Sequence, residues 1–306
     1  MTTLGWIGLG HMGEPMAMRL IQAGHKLNTY NRSREKTKTL AQVGAAILDT
    51  PREIAEQSDI VFIMLTDANA INSVLTGNDG VLAALAPGKI VVNMSTIAPP
   101  DTVSFAELVS ERGGRYVDAP VSGSVGAAKT GQLVILAGGE KAAIDTCRPY
   151  FELLGKGTIH FGAVGMGSSA KLAINLLLGV VGQGIGEAVL FAEKSGVDKE
   201  KMLELISQSA LNSPLFQLKK DMYSRDEFPA AFMVGLMSKD LGLVKAEADR
   251  MGAILPLAEA ADSTYRSAKE HGKATLDMAA VYLELREQNF VKNSQQKGSS
   301  TTSDIV

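Results

Sequence analysis

Two periodicities share the first half of the chain. Short apolar runs at 4–10, 25–31, 59–65, 89–95 and 115–121 have the length and composition of strands. Between them, at 14–24, 33–44, 51–57 and 100–113, apolar residues recur every three to four positions, which predicts helices. Gly24, Gly44 and Gly113 stand where helix C-caps belong. Strand alternating with helix implies a parallel sheet covered on both faces. The runs 132–139 and 158–162 extend that sheet to about residue 163. After Gly162 the strand period disappears, and helical patterns fill 168–195, 198–210, 214–223, 238–251, 256–271 and 276–287. The expected organisation is an α/β domain over 1–163 and an all-helical domain over 164–289, opened by one long helix. A polar, low-complexity tail over 290–306 is expected to be disordered.

The first strand runs into "GLGHMG", the spacing Gly8-x-Gly10-x-x-Gly13. Alone this pattern is weak; following a strand and opening a helix, it predicts a dinucleotide loop. Gly8 permits the tight turn, Gly10 lets a pyrophosphate approach the backbone, and Gly13 lets helix and strand pack closely. The backbone of Leu9, His11 and Met12 completes the loop, and the helix N-terminus offers N–H groups and partial positive charge to phosphates. An acidic residue after the second strand would bind the ribose hydroxyls of NAD. Here Asn31, Arg32 and Ser33 occupy that place, and an arginine can pair bidentately with a 2′-phosphate. The expected cofactor is therefore NADP(H) in preference to NAD(H). The bland alternative is a helix cap at Ser33 beside solvated cations.

The long helix poses a different question. Within "GSSAKLAINLLLGVVGQGIGEAVLF", Lys171 and Asn175 are four residues apart and share a face, which Gly179 and Gln183 extend. Between two domains, that stripe would turn towards a cleft, where ligands bind. A lysine there can polarise a carbonyl oxygen and donate a proton, more readily if burial lowers its pKa. Asn175 would hold the lysine or the substrate. The alternative is a surface lysine lying along the helix start.

Composition narrows the picture without redirecting it. The 306 residues are 45% hydrophobic with a net charge of -3, so charge gives no push towards nucleic acid. Cys147 is the only cysteine, so there is no intrachain disulfide and a reducing, cytoplasmic setting is expected. His11, His25, His160 and His271 show no metal-ligand spacing, and no metal is expected. The start lacks the features of a signal peptide. The stretch 172–191 is long enough to span a membrane, but Asn175, Gln183, Glu187 and four glycines interrupt it, so a core helix is expected and no membrane partner.

Four ordered motifs, "WIGLGHMGEPMAMRL", "DAPVSGS", "GMGSSAKLAINLLLG" and "SKDLGL", resemble the β-hydroxyacid dehydrogenases over residues 3–288. "NRS", "VSGS", "GQLVILAGG", "NSPLF" and "FPAAFMVGLMSKDL" are similar to the glyoxylate/succinic semialdehyde reductases within that family. The resemblance implies a Rossmann domain, a long interdomain helix and an all-helical domain that helps form homodimers or homotetramers. It implies hydride transfer between nicotinamide and a small aldehyde or its hydroxy acid. It makes Lys171 the catalytic acid with Asn175 as partner. Ser122 and Gly123 would bind the substrate carboxylate, with Ser124 where the family has a last glycine. Thr96, with Ser95 beside it, and the turn Met64, Leu65 and Thr66 would flank the cofactor, and Lys239 would reach it, braced by Asp240. Asn93 departs from the family's aspartate. Bland alternatives are a helix cap at Thr96 and a solvated Lys239.

Three other readings remain. Imine reductases on this frame replace the lysine with Asp or Tyr, so Lys171 argues against one. A non-catalytic nucleotide-binding module would tend to lose the proton donor. An NAD-dependent 3-hydroxyisobutyrate or tartronate semialdehyde enzyme would be favoured by an acid at 31 or 32.

Overall fold

The computed structural model describes residues 2–289. The expected disordered tail, 290–306, lies outside the described residues. Contacts divide the chain into a first unit to Ala173 and a second from Ile174.

The first unit is a nine-stranded sheet with helices. Its strands are β1 (Leu4–Ile7), β2 (Leu27–Tyr30), β3 (Ala46–Ile47), β4 (Ile60–Ile63), β5 (Ile90–Asn93), β6 (Arg115–Asp118), β7 (Val121–Ser122), β8 (Leu133–Gly139) and β9 (Gly155–Gly162). They run in the order β3-β2-β1-β4-β5-β6-β8-β7, with β9 on β8. Strands β1 to β6 pair in parallel; β8 is antiparallel to β6 and β7 and parallel to β9. The parallel sheet expected is present from β1 to β6; β7 and β8 depart from it, because the connections after β6 are too short to make a crossover.

The central strands are apolar throughout because both faces are buried. Ile60 and Phe62 of β4 join Trp6 and Val92 on one face, while Val61 and Ile63 join Ile7 and Val91 on the other. Helices α1 (Gly13–Gln22), α2 (Lys38–Gln42), α3 (Pro51–Gln57), α4 (Ala68–Thr76), α5 (Pro99–Glu111), α6 (Val125–Thr130) and α7 (Lys141–Leu154) belong to this unit. α4, α6 and α7 are additions to the helices expected from periodicity. The side chain of Asp67 caps α4, and α7 carries Pro149 inside it. Cys147 of α7 is fully buried in the core, and burial pushes its thiol pKa up to about 12.

The 29-residue α8 (Met166–Lys194) starts in the first unit and ends in the second. The rest of the second unit is α9 (Lys199–Gln208), α10 (Pro214–Arg225), α11 (Val234–Met251), α12 (Pro256–Ala268) and a closing helical stretch, 281–289. Buried polar groups fix its loops. The carboxylate of Asp277 accepts from Lys219 Nζ at 2.7 Å and from the amides of Ala231, Phe232 and Ala279, which pins the segment before α11. Glu284 accepts from Ser267, His271, Lys273 and Gln288, which ties the closing stretch to α12.

α8 departs from the core helix expected. Its polar stripe is buried: Lys171, Asn175 and Gln183 are at most 9% exposed. Part of its apolar side is not, with Ile174, Leu177, Val181 and Phe191 exposed, Phe191 to 75%. It is also the one helix among the described residues long and apolar enough to cross a membrane, with mean hydropathy 1.6. A helix with its polar stripe inward is uncommon for a core element and marks that stripe as a place for chemistry.

Candidate functional site

In the first unit the loop between β1 and α1 is shaped by contacts that only glycine allows. Gly8 has φ +101, and a Cβ there would lie 2.2 Å from the Met64 carbonyl oxygen. A Cβ on Gly13 would lie 2.1 Å from the Gly8 carbonyl oxygen. Gly10 is different: a Cβ there would meet nothing within 4 Å. The chain itself gives no reason for a glycine at that point, but a phosphate approaching the backbone does. Gly10→Ala is therefore expected to leave the melting temperature unchanged while weakening dinucleotide binding by at least about tenfold, ~1.4 kcal/mol. A calorimetric scan beside a cofactor titration separates the two; a loss of Tm, or unchanged affinity, contradicts the assignment.

The loop is tied to the next turn. Asn31 Oδ1 accepts from the Leu9 amide at 2.9 Å, and Asn31 Nδ2 donates to the Ser33 carbonyl. Asn31 thus uses both ends of its amide to hold the backbone. Arg32 and Ser33 are exposed just beyond β2, while Arg34 pairs with Asp49. Trp6 Nε1 donates to the Gly8 carbonyl at 2.9 Å from within the core, a support the sequence reading missed.

The βα turns after β4 and β5 are joined in the same way. The Leu65 amide donates to Ser95 Oγ at 2.9 Å, and the Ser95 amide donates to Asn93 Oδ1 at 3.0 Å. This sets the Leu65 backbone against the Ser95 side chain and joins the two turns. Ser122 ends β7, Gly123 follows with φ +142, and Ser124 stands before the first residue of α6. A Cβ on Gly123 would press on the Leu133 side chain at 2.8 Å, so glycine is needed there.

The residue most important among those missed is Asp118, the first of "DAPVSGS". It is fully buried at the end of β6. Its carboxylate accepts from the Gly165 amide at 3.0 Å, the Ser168 amide at 2.8 Å and Ser168 Oγ at 3.2 Å. Thr102 Oγ1 lies 2.9 Å from Ser168 Oγ. Asp118 therefore caps α8 from a distant strand, one turn before Lys171. Burial raises the Asp118 pKa, against the pull of these donors. Space enforces the arrangement: a Cβ on Gly138 or Gly167 would strike the carboxylate at 2.5 or 2.9 Å. The signal available in sequence was an acid at the end of an apolar strand.

Lys171, 9% exposed, lies in the next turn of α8, and Asn175 follows one turn later. Within the second unit Asn175 Nδ2 donates to Asp240 Oδ2 at 2.6 Å, and Lys239 Nζ lies 3.0 Å from Asp240 Oδ1. Asp240, 2% exposed, thus holds both Asn175 and Lys239, whereas the sequence assigned it Lys239 alone. A Cβ on Gly179 would touch Met237 and Leu241 of α11 at 3.1–3.2 Å, so the stripe continues as close helix packing. Among the described residues no group of three or more His, Cys, Asp or Glu side chains could hold a metal.

The chain is similar to known proteins over nearly its whole length. A family model described as the NAD binding domain of 6-phosphogluconate dehydrogenase matches residues 3–165. A second, described as NAD-binding of NADP-dependent 3-hydroxyisobutyrate dehydrogenase, matches 165–285. Glyoxylate/succinic semialdehyde reductase 1 of Arabidopsis thaliana is 34% identical over 278 residues, 91% of this chain and 96% of its own. The 2-hydroxy-3-oxopropionate reductase of Escherichia coli K12 is 35% identical, covering 91% and 95%. The solved 3-hydroxyisobutyrate dehydrogenase of Mycobacterium tuberculosis, with L-serine, superposes with TM-score 0.85 at 31% identity, covering 94% and 99%. With a Rossmann unit, a helical unit and these matches across nearly its whole length, the chain belongs to the β-hydroxyacid dehydrogenase family of oxidoreductases.

Proposed function

We propose that the protein reduces a small carboxylate-bearing aldehyde, of the glyoxylate or succinic semialdehyde type, to the hydroxy acid, using NADPH and Lys171 as proton donor. The observation that carries this reading is the buried Lys171 on a helix whose first turn is fixed by Asp118. Burying a cation costs free energy even when it is paired, and ionisable groups held in such places gather where chemistry is done.

The residues fit a dinucleotide: the open face at Gly10, the backbone at Leu9 to Gly13, and the paired turns at Met64–Thr66 and Ser95–Thr96 would hold it. Arg32, exposed beside an uncharged Asn31, would read a 2′-phosphate, and Lys239 would add a second cation. When bound, the reduced nicotinamide supplies the hydride to the carbonyl carbon and is itself oxidised. Lys171 donates its proton to the carbonyl oxygen, so charge does not build up there. Asn175, held by Asp240, keeps the substrate oriented, and Ser122 with the backbone of Gly123 and Ser124 receives its carboxylate. The names of the plant and bacterial relatives support an acid-aldehyde as substrate class.

The protein is further read as a cytoplasmic homodimer or homotetramer. The exposed positions 174, 177, 181, 184 and 191, with half-buried 188 among them, follow 3-4-3-4-3 spacing, which suits a second helix laid alongside. Its mass in solution checks this.

The test is NADPH and NADH oxidation against glyoxylate, succinic semialdehyde, tartronate semialdehyde and an uncharged aldehyde of matched size. Turnover is expected with the acid-aldehydes and NADPH. Arg32→Asp should weaken NADPH by about 10- to 150-fold, the 1.5–3 kcal/mol typical of a charged hydrogen bond, and leave NADH nearly unchanged. An NADH preference in the parent enzyme would sink the phosphate role of Arg32. Reduction of only the uncharged aldehyde would sink the carboxylate site.

A further inference from the structure

We propose that Asn93, where the family pattern has aspartate, is a positioning residue that sets the two cofactor-facing turns and, being uncharged, leaves Asp118 to cap the lysine-bearing helix. This deepens the reading above and rests on it for the cofactor.

Three observations meet at this side chain. First, Asn93 is 1% exposed and its Oδ1 accepts the Ser95 amide, while Ser95 Oγ accepts the Leu65 amide. One side chain thus sets the βα turn after β5, and through Ser95 the turn after β4. Second, Asn93 is the register partner of Asp118 across β5 and β6, so the two side chains point to the same face of adjacent strands. Third, its Nδ2 and the Tyr116 hydroxyl are both buried without a well-formed partner of their own, and Asn93 is the side chain that interacts with that hydroxyl.

An aspartate could also accept the Ser95 amide, so the acceptor alone does not explain asparagine. Charge does. A second carboxylate beside Asp118 would make one of the pair hold a proton. A protonated Asp118 would present a hydroxyl hydrogen to the Gly165 and Ser168 amides, which need an acceptor. The ionisable groups on β6 facing position 93 are Asp118 and Tyr116; β4 places Ile63 beside it, and α5 brings Thr102 to the same cluster. A neutral amide at 93 therefore lets Asp118 serve α8 alone while Asn93 serves the turns.

Two variants separate the two halves of the proposal. Asn93→Leu removes the acceptor. In the cofactor-free protein, amide hydrogen exchange should quicken at Leu65 and Ser95 but not at Gly165 and Ser168. Affinity for NADPH, read by fluorescence titration, should fall by about tenfold or more. Asn93→Asp keeps the acceptor. Exchange at Leu65 and Ser95 should stay slow, and exchange at Gly165 and Ser168 should quicken, with a loss in kcat larger than the change in cofactor affinity. If Asn93→Leu leaves exchange at Ser95 and NADPH affinity at parent levels, or if Asn93→Asp leaves the α8 amides as protected as before, the proposal is wrong. Should the parent protein bind neither NADPH nor NADH, the cofactor reading fails, and the exchange measurements still decide the role of Asn93.

Discussion

Lys171→Met is expected to lower kcat by roughly 10²- to 10⁴-fold, the range general-acid catalysis contributes, with cofactor affinity little changed. Methionine is close to lysine in length and sits well in buried surroundings, so the helix should keep its packing. The substitution removes a donor and a charge without opening a cavity. The reaction would then have to take its proton from water. Lys171→Arg should recover little, because a guanidinium holds its proton too tightly to give it up near neutral pH and fills a different shape. Single-turnover reduction followed at 340 nm checks this directly. Near-parental turnover in the methionine variant would remove Lys171 from the chemistry and leave it a structural cation.

The second large effect is expected at Asp118, more than fifty residues before the lysine. Asp118→Ala deletes the acceptor for two amides and one hydroxyl at the start of α8. Loss of a cap together with charged hydrogen bonds in a buried site should cost about 2–4 kcal/mol. For a chain of this size that is a Tm lower by roughly 3–6 °C. The effect on turnover should be out of proportion to the stability loss. At a temperature where the variant is folded, kcat should still fall, because the first turn of α8 sets where Lys171 begins. A thermal scan and a kcat measured well below the variant's Tm check both parts. Asp118→Asn is the stringent control: it keeps the shape, but its amide nitrogen would face an N–H group. Wild-type turnover in both folded variants would confine Asp118 to stability.

How much of this was legible beforehand depends on the range of the interaction. The central strands were readable because both sheet faces are buried, which leaves uninterrupted apolar runs such as 60–63. The glycine loop was readable because its constraints lie within six residues. Lys171 and Asn175 were readable because helix geometry alone puts them together. α4 and α7 escaped because their patterns are broken, by asparagines in one and by Pro149 in the other. The cap by Asp118 spans 47 and 50 residues and depends on the register of β6 against the turn at Gly165, which no local pattern encodes. Asn93 could be seen as a departure, but its meaning needed the strand pairing that sets it beside Asp118. The outward apolar side of α8 was unexpected for a related reason: periodicity says which residues share a face, not which face is covered.

The sole thiol has a practical consequence. Cys147 lies deep in the first unit with its pKa near 12, so at neutral pH it offers almost no thiolate and no access. A thiol-reactive dye will therefore stay silent on the native protein and label only when this unit opens. With one site per chain, the labelling rate is a clock for that opening, built in without engineering, and bound nucleotide should slow it.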